Sequence, residues 1–299
     1  MSPMLGIMDS GKSGNLLSIT GGNEIKVVGS YKYHIFTANG TFAITGGTKS
    51  IEVTACGGGG ATGFSWSGGG GGGELDILTS VTNATGSYTV TVGAGGTSGN
   101  QGSAAPGYQG GNGGTSIFAL GATTYVSSLG GGGAGGQTAG YNPGYTGGSG
   151  GGGNGRSSTA AGGGASGSNT FAGGSSYYGG PAGDYCGGGG GGATAVGTNA
   201  ANTVAGAGGQ GKQLTTIDSN LTAANFTSFT GMTYISSGGG GCTQNGSSRG
   251  AGGTGAGSGC TASLNGTAAT AFGCGGGADN QFNGSGGGYA GVVIVRYLV

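Results

Sequence analysis

Apolar and polar residues alternate from Glu24 to Cys56, EIKVVGSYKYHIFTANGTFAITGGTKSIEVTAC, with β-branched and aromatic types crowding the apolar positions. A period of two turns one face of a strand inward, so strands are predicted at Glu24–Val28, Lys32–Thr37, Thr41–Ile44 and Ser50–Ala55. Asn39-Gly40 between two of these runs tolerates the positive φ angles of a tight hairpin, and Gly46-Gly47 marks the next predicted turn. Strand character continues in ELDILTSV (74–81) and GSYTVTVGAGG (86–96), separated around Thr82–Gly86, and in a predicted hairpin of Thr115–Leu120 and Thr123–Leu129 across Gly121. From about residue 130 to 211 no period of 2 or 3.6 is sustained, and helices are not expected there. The pattern returns at Gln213–Ile217, at Met232–Ser237 and most strongly at YAGVVIVRYLV, Tyr289 to Val299. Left exposed, that last segment would be a flat apolar edge prone to aggregation. Val292–Tyr297 is therefore expected to pair with the sheet of residues 24–55.

Between these runs lie glycines, 89 among 299 residues, clustered at Gly57–Gly60, Gly68–Gly73, Gly130–Gly133, Gly187–Gly192, Gly238–Gly241, Gly275–Gly277 and Gly286–Gly288. Consecutive glycines have one well-populated extended form, the polyproline II helix, with three residues per turn and a rise of about 3.1 Å. Its N–H and C=O groups all point outward, so several runs packed side by side could satisfy one another. The absence of a strict G-X-Y repeat excludes collagen. Ordering costs about 1–2 kcal/mol per residue, and each hydrogen bond returns about 1 kcal/mol. Such an array needs cooperativity, a flanking sheet and, by expectation, oligomerisation. The fold class read from these patterns is all-β with extended, polyglycine II-like segments and little or no helix. It divides into 1–20 as an N-terminal segment, 21–130 as a β-rich portion, 131–288 as glycine-rich segments with strands near 213–237, and 289–299 as a closing strand.

Charge removes several function classes. Lys and Arg total 8, Asp and Glu total 8, and no charged side chain occurs from Ile77 to Gly155. Disordered segments are usually rich in charge, and nucleic-acid binders carry a basic footprint that is missing here. No stretch of roughly 18 apolar residues exists to cross a bilayer as a helix, and MSPMLGIMDSGKSGNLL lacks the signature of a secretory signal. Assembly in the cytoplasm is the expectation, with neither nucleic acid nor membrane insertion involved.

Candidate chemistry is sparse. Cys56, Cys186, Cys242, Cys260 and Cys274 have no C-x-x-C spacing and only His34 to join them, so they read as small buried side chains, with a disulfide among the last three left open. His34 reads as a strand residue. Glu74 and Asp76 share a strand face but fall short of the six to eight oxygen ligands calcium takes. No catalytic residue, metal site or cofactor is expected, and an enzyme is the least expected class. Recognition candidates are the aromatics set among glycines: Trp66, Tyr108, Tyr141, Tyr145, Tyr177, Tyr178 and Tyr185. Amphipathic rings on loops held by a rigid scaffold suit binding to sugars or protein surfaces. The alternative is that they cover the glycine array as its side-chain packing.

YKYHIFTANGTFAITGGTKSIEVTACGGGG, SGGGGGGELDILTS, GSYTVTVGAGG, GGNGGTSIFAL, MTYISSGGGGC and GGGYAGVVIVRYLV, in this order over residues 29–299, resemble glycine-rich tail and virion proteins of bacteriophages. In style the chain also resembles the glycine-rich adhesins at the tips of T-even-type long tail fibres. The resemblance implies a virion structural protein assembled in the host cytoplasm, of the tail-fibre or adhesin kind, engaged in host attachment. It implies other virion proteins as partners through the N-terminus, a host surface glycan or protein as target, and a homo-oligomer with a trimer favoured. Met4, Leu5, Ile7, Met8, Leu16 and Leu17 are the apolar anchors such docking would use. A purely architectural virion element, such as a head fibre or tail decoration, and a secreted glycine-rich matrix filament are the alternatives.

Overall fold

In the computed structural model, residues 16–99, 108–137, 142–156, 158–179, 184–244, 248–261, 265–278 and 286–299 are described. The strands are β1 (Ser18–Thr20), β2 (Glu24–Val28), β3 (Tyr31–Phe36), β4 (Gly40–Cys56), β5 (Leu75–Thr91), β6 (Ser116–Leu120), β7 (Thr123–Ser128), β8 (Tyr177–Tyr178), β9 (Tyr185–Cys186), β10 (Lys212–Gln213), β11 (Tyr234–Ile235) and β12 (Val292–Leu298). One antiparallel sheet runs in the order β2-β3-β12-β4-β5-β6-β7, with β1 beside β4. The C-terminal strand thus sits in the interior of the sheet between β3 and β4, as its apolar run requires. Its side chains alternate between two cores. Val293, Val295 and Tyr297 join Phe36, Phe42, Val53, Tyr88 and Phe118 on one face. Val292 and Ile294 join Tyr33, Ile35, Leu214, Phe226 and Phe229 on the other.

Two expected boundaries are corrected. Thr41–Ile44 and Ser50–Ala55 are parts of one 17-residue strand, and Gly46-Gly47 is an irregularity inside it rather than a hairpin turn. The paired runs on either side of Thr82–Gly86 likewise form one 17-residue strand. Gly40–Ile44 pairs with Gly86–Val90 and Lys49–Cys56 with Leu75–Ala84, with register shifts between. Gly46 (φ +76°) lies inside the interrupted stretch, and Gly86 (φ +98°), opposite Ile44, lies at its edge. Bulges bend a strand, and here they let the long β4–β5 pair fold over, so that Phe42, Tyr88 and Phe118 cover Val293 and Val295. Gln213–Ile217, expected as a strand, is β10 followed by a helical turn, α1 (Leu214–Ile217). Leu214 and Ile217, three apart, both reach the second core, which a strand would not allow. Met232–Ser237 contributes only the two-residue strand β11.

His34 is fully buried at the first core, its ring 5.2 Å from Phe42, with Nδ1 2.6 Å from the Gly21 carbonyl oxygen. Nε2 lies 3.4 Å from the Tyr297 hydroxyl. Burial lowers its pKa, opposed by the Gly21 bond and reinforced by the charge of Lys32. As pH falls below the unfolded value of about 6.5, the unfolded chain takes up a proton that the folded chain refuses, so stability declines until the lowered folded value is passed. Urea midpoints across this window should show that decline in the native protein and a flatter profile in His34→Gln.

The glycine runs continue the strands. From Cys56 the chain leaves the sheet through 57–62 and returns through 68–74 into β5. It leaves again through 93–99 and returns through 108–114 towards β6. Hydrogen bonds of the run 67–74 show how these rods are ordered. Gly69 and Gly72 donate to Gly188 and Gly191, Gly70 and Gly73 to Gly276 and Gly273, and Gly71 and Glu74 to Gly132 and Leu129. Carbonyls of the same run accept from Gly152 and Ser149, from Gly239 and Cys242, and from Gly60 and Gly57. Residues three apart therefore address the same neighbour, which is the signature of a three-residue turn. The run is enclosed by neighbours on all sides, some parallel to it and some antiparallel. The approach is close enough to exclude any side chain: a methyl on Gly190 would overlap the Gly70 carbonyl. Backbone groups satisfied by backbone groups thus do the work that apolar side chains do in the sheet.

All five cysteines are buried, and Cys242 is bonded to Cys260 across a Cα separation of 4.5 Å. Cys56, Cys186 and Cys274 are free thiols.

Candidate functional site

At the end of the array away from the sheet, described residues from several rods meet. The chain turns at Ser65 (φ 56°) and Trp66 (φ 51°), both in the left-handed region that disfavours side chains. Among the bonds that hold this turn, Asn154 Nδ2 donates to the Ser65 carbonyl at 2.8 Å, an Arg156 guanidinium nitrogen donates to Ser65 Oγ at 2.5 Å, and Ser67 Oγ donates across it to the Gly63 carbonyl at 2.8 Å. Phe64 N–H donates to the Tyr108 carbonyl at 2.7 Å, and the two rings lie 5.7 Å apart. Nearby, β8 and β9 form a minimal hairpin on which Tyr178 and Tyr185 stack at 5.6 Å and 7°.

The aromatic candidates divide by position. Trp66 is 5 % exposed and packs on the Cys242–Cys260 pair and Ala278, in the covering role rather than at the surface. Tyr108, Tyr177, Tyr178 and Tyr185 are half-buried at this end. Tyr145 is partly exposed along a rod, its hydroxyl bonded to Gln109. Tyr141 lies outside the described residues, as do Met4, Leu5, Ile7 and Met8. Leu16 and Leu17 are exposed at the start of the sheet, before β1.

Arg156, Asn154, Asn142 and Ser65 were not among the sequence candidates. Arg156 is the first charge after the long uncharged stretch, and that isolation was the signal available. Asn142, 2 % exposed, has neither side-chain amide atom hydrogen-bonded, and the Thr62 hydroxyl and the Gln244 side-chain oxygen Oε1 are likewise buried without a partner. Buried polar atoms of this kind are satisfied by ordered water or by a ligand's polar groups. Glu74 and Asp76 lie at the sheet end and serve the backbone instead. Glu74 accepts from Leu129 and Ser168 N–H at 2.9 and 2.7 Å, and Asp76 from the Ser128 hydroxyl at 2.7 Å. Their carboxylates splice rods to strands.

The far end thus combines a strained turn, amphipathic rings and polar groups on a rigid backbone lattice. No curated protein matches the chain. A family model described as a glycine-rich domain matches residues 37–298, the region that builds both the sheet from β4 onward and the whole array. The chain belongs to this glycine-rich domain family.

Proposed function

We propose that this protein is a structural component of a bacteriophage virion, of the tail-fibre or adhesin kind, that contributes to host attachment. The observation supporting this reading is the separation of the molecule into two ends. The sheet with the exposed Leu16 and Leu17 forms one end, and the half-buried aromatics carried by rigid rods form the other. In this reading the first end faces neighbouring virion proteins, and the second meets a host surface glycan or protein. Self-association, with a trimer favoured, would supply the multivalency that attachment uses.

Purified protein added in excess should compete with particles for host adsorption. A Tyr108→Ala/Tyr178→Ala double variant that melts like the parent should compete less. Gold-labelled antibody on intact particles should decorate the distal tail. Decoration of the capsid, with no competition by the parent protein, would replace this reading with the architectural one.

A further inference from the structure

We propose that a cavity beside the bend of the β4–β5 pair, away from the glycine array, binds an extended peptide segment of a partner protein that carries a carboxylate next to a bulky apolar side chain. The cavity holds about 400 Å³ and is lined by Tyr31, Lys49, Ile51, Glu52, Val81 and Arg296, among others. It exists because the β4–β5 ladder is irregular there. Register shifts flank Lys49, and Ser50 is left without a β5 partner. Bulges re-aim side chains in this way and free main-chain groups for a new partner.

The charges in the cavity are unequal in their commitments. Arg296 is occupied: Nε bonds Glu52 at 2.7 Å, a second nitrogen bonds Asp218, and the guanidinium lies 4.3 Å from the Tyr31 ring centre. Asp218 is itself fixed by the Tyr33 hydroxyl at 2.6 Å. Lys49 has no such partner. Its ammonium lies 5.6 Å from the centre of the Tyr297 ring, and among the described residues no carboxylate pairs with it. A carboxylate entering the cavity would find this cation, while Ile51, Val81 and Leu298 offer an apolar floor beside it.

A saccharide fits less well. Tyr31 has a face covered by Arg296, and Tyr297 is nearly buried beneath Lys49, so neither presents the open ring on which a sugar stacks. The exposed hydroxyls of Ser50, Ser80 and Thr82 on the rim suit the peptide main chain. This assignment is independent of whether the far end of the array contacts a host.

The test is titration of isotope-labelled protein, followed by amide NMR, with pools of acetylated and amidated pentapeptides. One pool carries Asp or Glu between apolar residues, and the other carries Asn or Gln in its place. At about 1 mM peptide, the acidic pool should shift the Ser50, Val81 and Leu298 signals more than the neutral pool. Lys49→Gln should weaken binding roughly three- to tenfold, and Ser80→Trp, which fills the rim, should abolish it without changing the melting temperature. The proposal is overturned if the acidic pool leaves those signals in place or if Lys49→Gln binds like the parent. It is also overturned if glucuronate shifts the signals where the peptides do not.

Discussion

Gly70→Ala is expected to abolish cooperative folding or to cost at least about 3 kcal/mol, a large loss for the addition of one methyl group. The new Cβ would overlap the Gly60 carbonyl oxygen, and the next nearest atoms, the Gly60 carbonyl carbon and Ala61 nitrogen, are also main chain. No side chain can swing aside. Relief requires moving a rod, and the rod 57–62 is tied to Gly71, Gly111, Gly114, Gly286 and Tyr289 by hydrogen bonds worth about 1 kcal/mol each. Gly287→Ala is the matched control. The nearest atom to its added methyl is the Gly96 carbonyl oxygen at 3.8 Å, and a change within about 0.5 kcal/mol is expected. Urea melts followed by circular dichroism measure both. Equal losses at the two positions would mean that glycine content, rather than close approach, governs stability.

Reduction of the Cys242–Cys260 bond should cost about 3 kcal/mol, given the loop of 18 residues that it closes. It should also announce itself optically. Trp66 is the sole tryptophan, and it packs on this pair. A disulfide quenches an indole in contact with it, so Trp66 emission should rise on reduction and should be high from the outset in the Cys242→Ser/Cys260→Ser variant. The bond joins rods already in register, with Thr243 N–H donating to the Cys260 carbonyl at 3.1 Å, so the variant should still fold. The remaining thiols provide a check on selectivity. Burial pushes Cys274 up to about 11, and Cys56 and Cys186 upward as well. In native protein all three should resist alkylation, and they should react only after denaturation. Emission that ignores the redox state would show that Trp66 does not sit on the bond.

How much was legible in the sequence depends on what each segment used as its code. β12 was readable because burial on both faces leaves four consecutive apolar residues, Val292–Val295, ahead of Arg296, and such a run belongs inside a sheet. The fold-over of β4 was not, because Gly46-Gly47 inside a bulged strand has the same sequence as Gly46-Gly47 in a turn. The difference lies in what β5 does opposite. α1 was misread because four residues, LTTI, fit either period, and packing of Leu214 and Ile217 on the sheet decided the matter. The glycine array was legible as a kind of structure but not as an arrangement. Glycine has no side chain with which to specify a neighbour, so nothing within the run names Gly276 and Gly239 as the partners of Gly70. At the far end, aromatic character pointed to Trp66, but its direction followed from two left-handed residues that no pattern announces. Arg156 and Asn142 became visible only when separate rods brought them beside the Ser65 turn or buried them without a partner.

The threefold address of the hydrogen bonds also limits how such a chain can change length. One residue added inside the run 67–74 would rotate every later donor by a third of a turn, so that the group meant for Gly191 would face the strand of Gly273 or Leu129 instead. Three residues added together would restore the phase and lengthen the rod by about 9 Å. Between rods no such count applies, and any number of residues can be inserted there without disturbing the phase. Growth of the rods is therefore quantised while growth of the segments between them is not, which leaves those segments free to vary while the interior keeps its step.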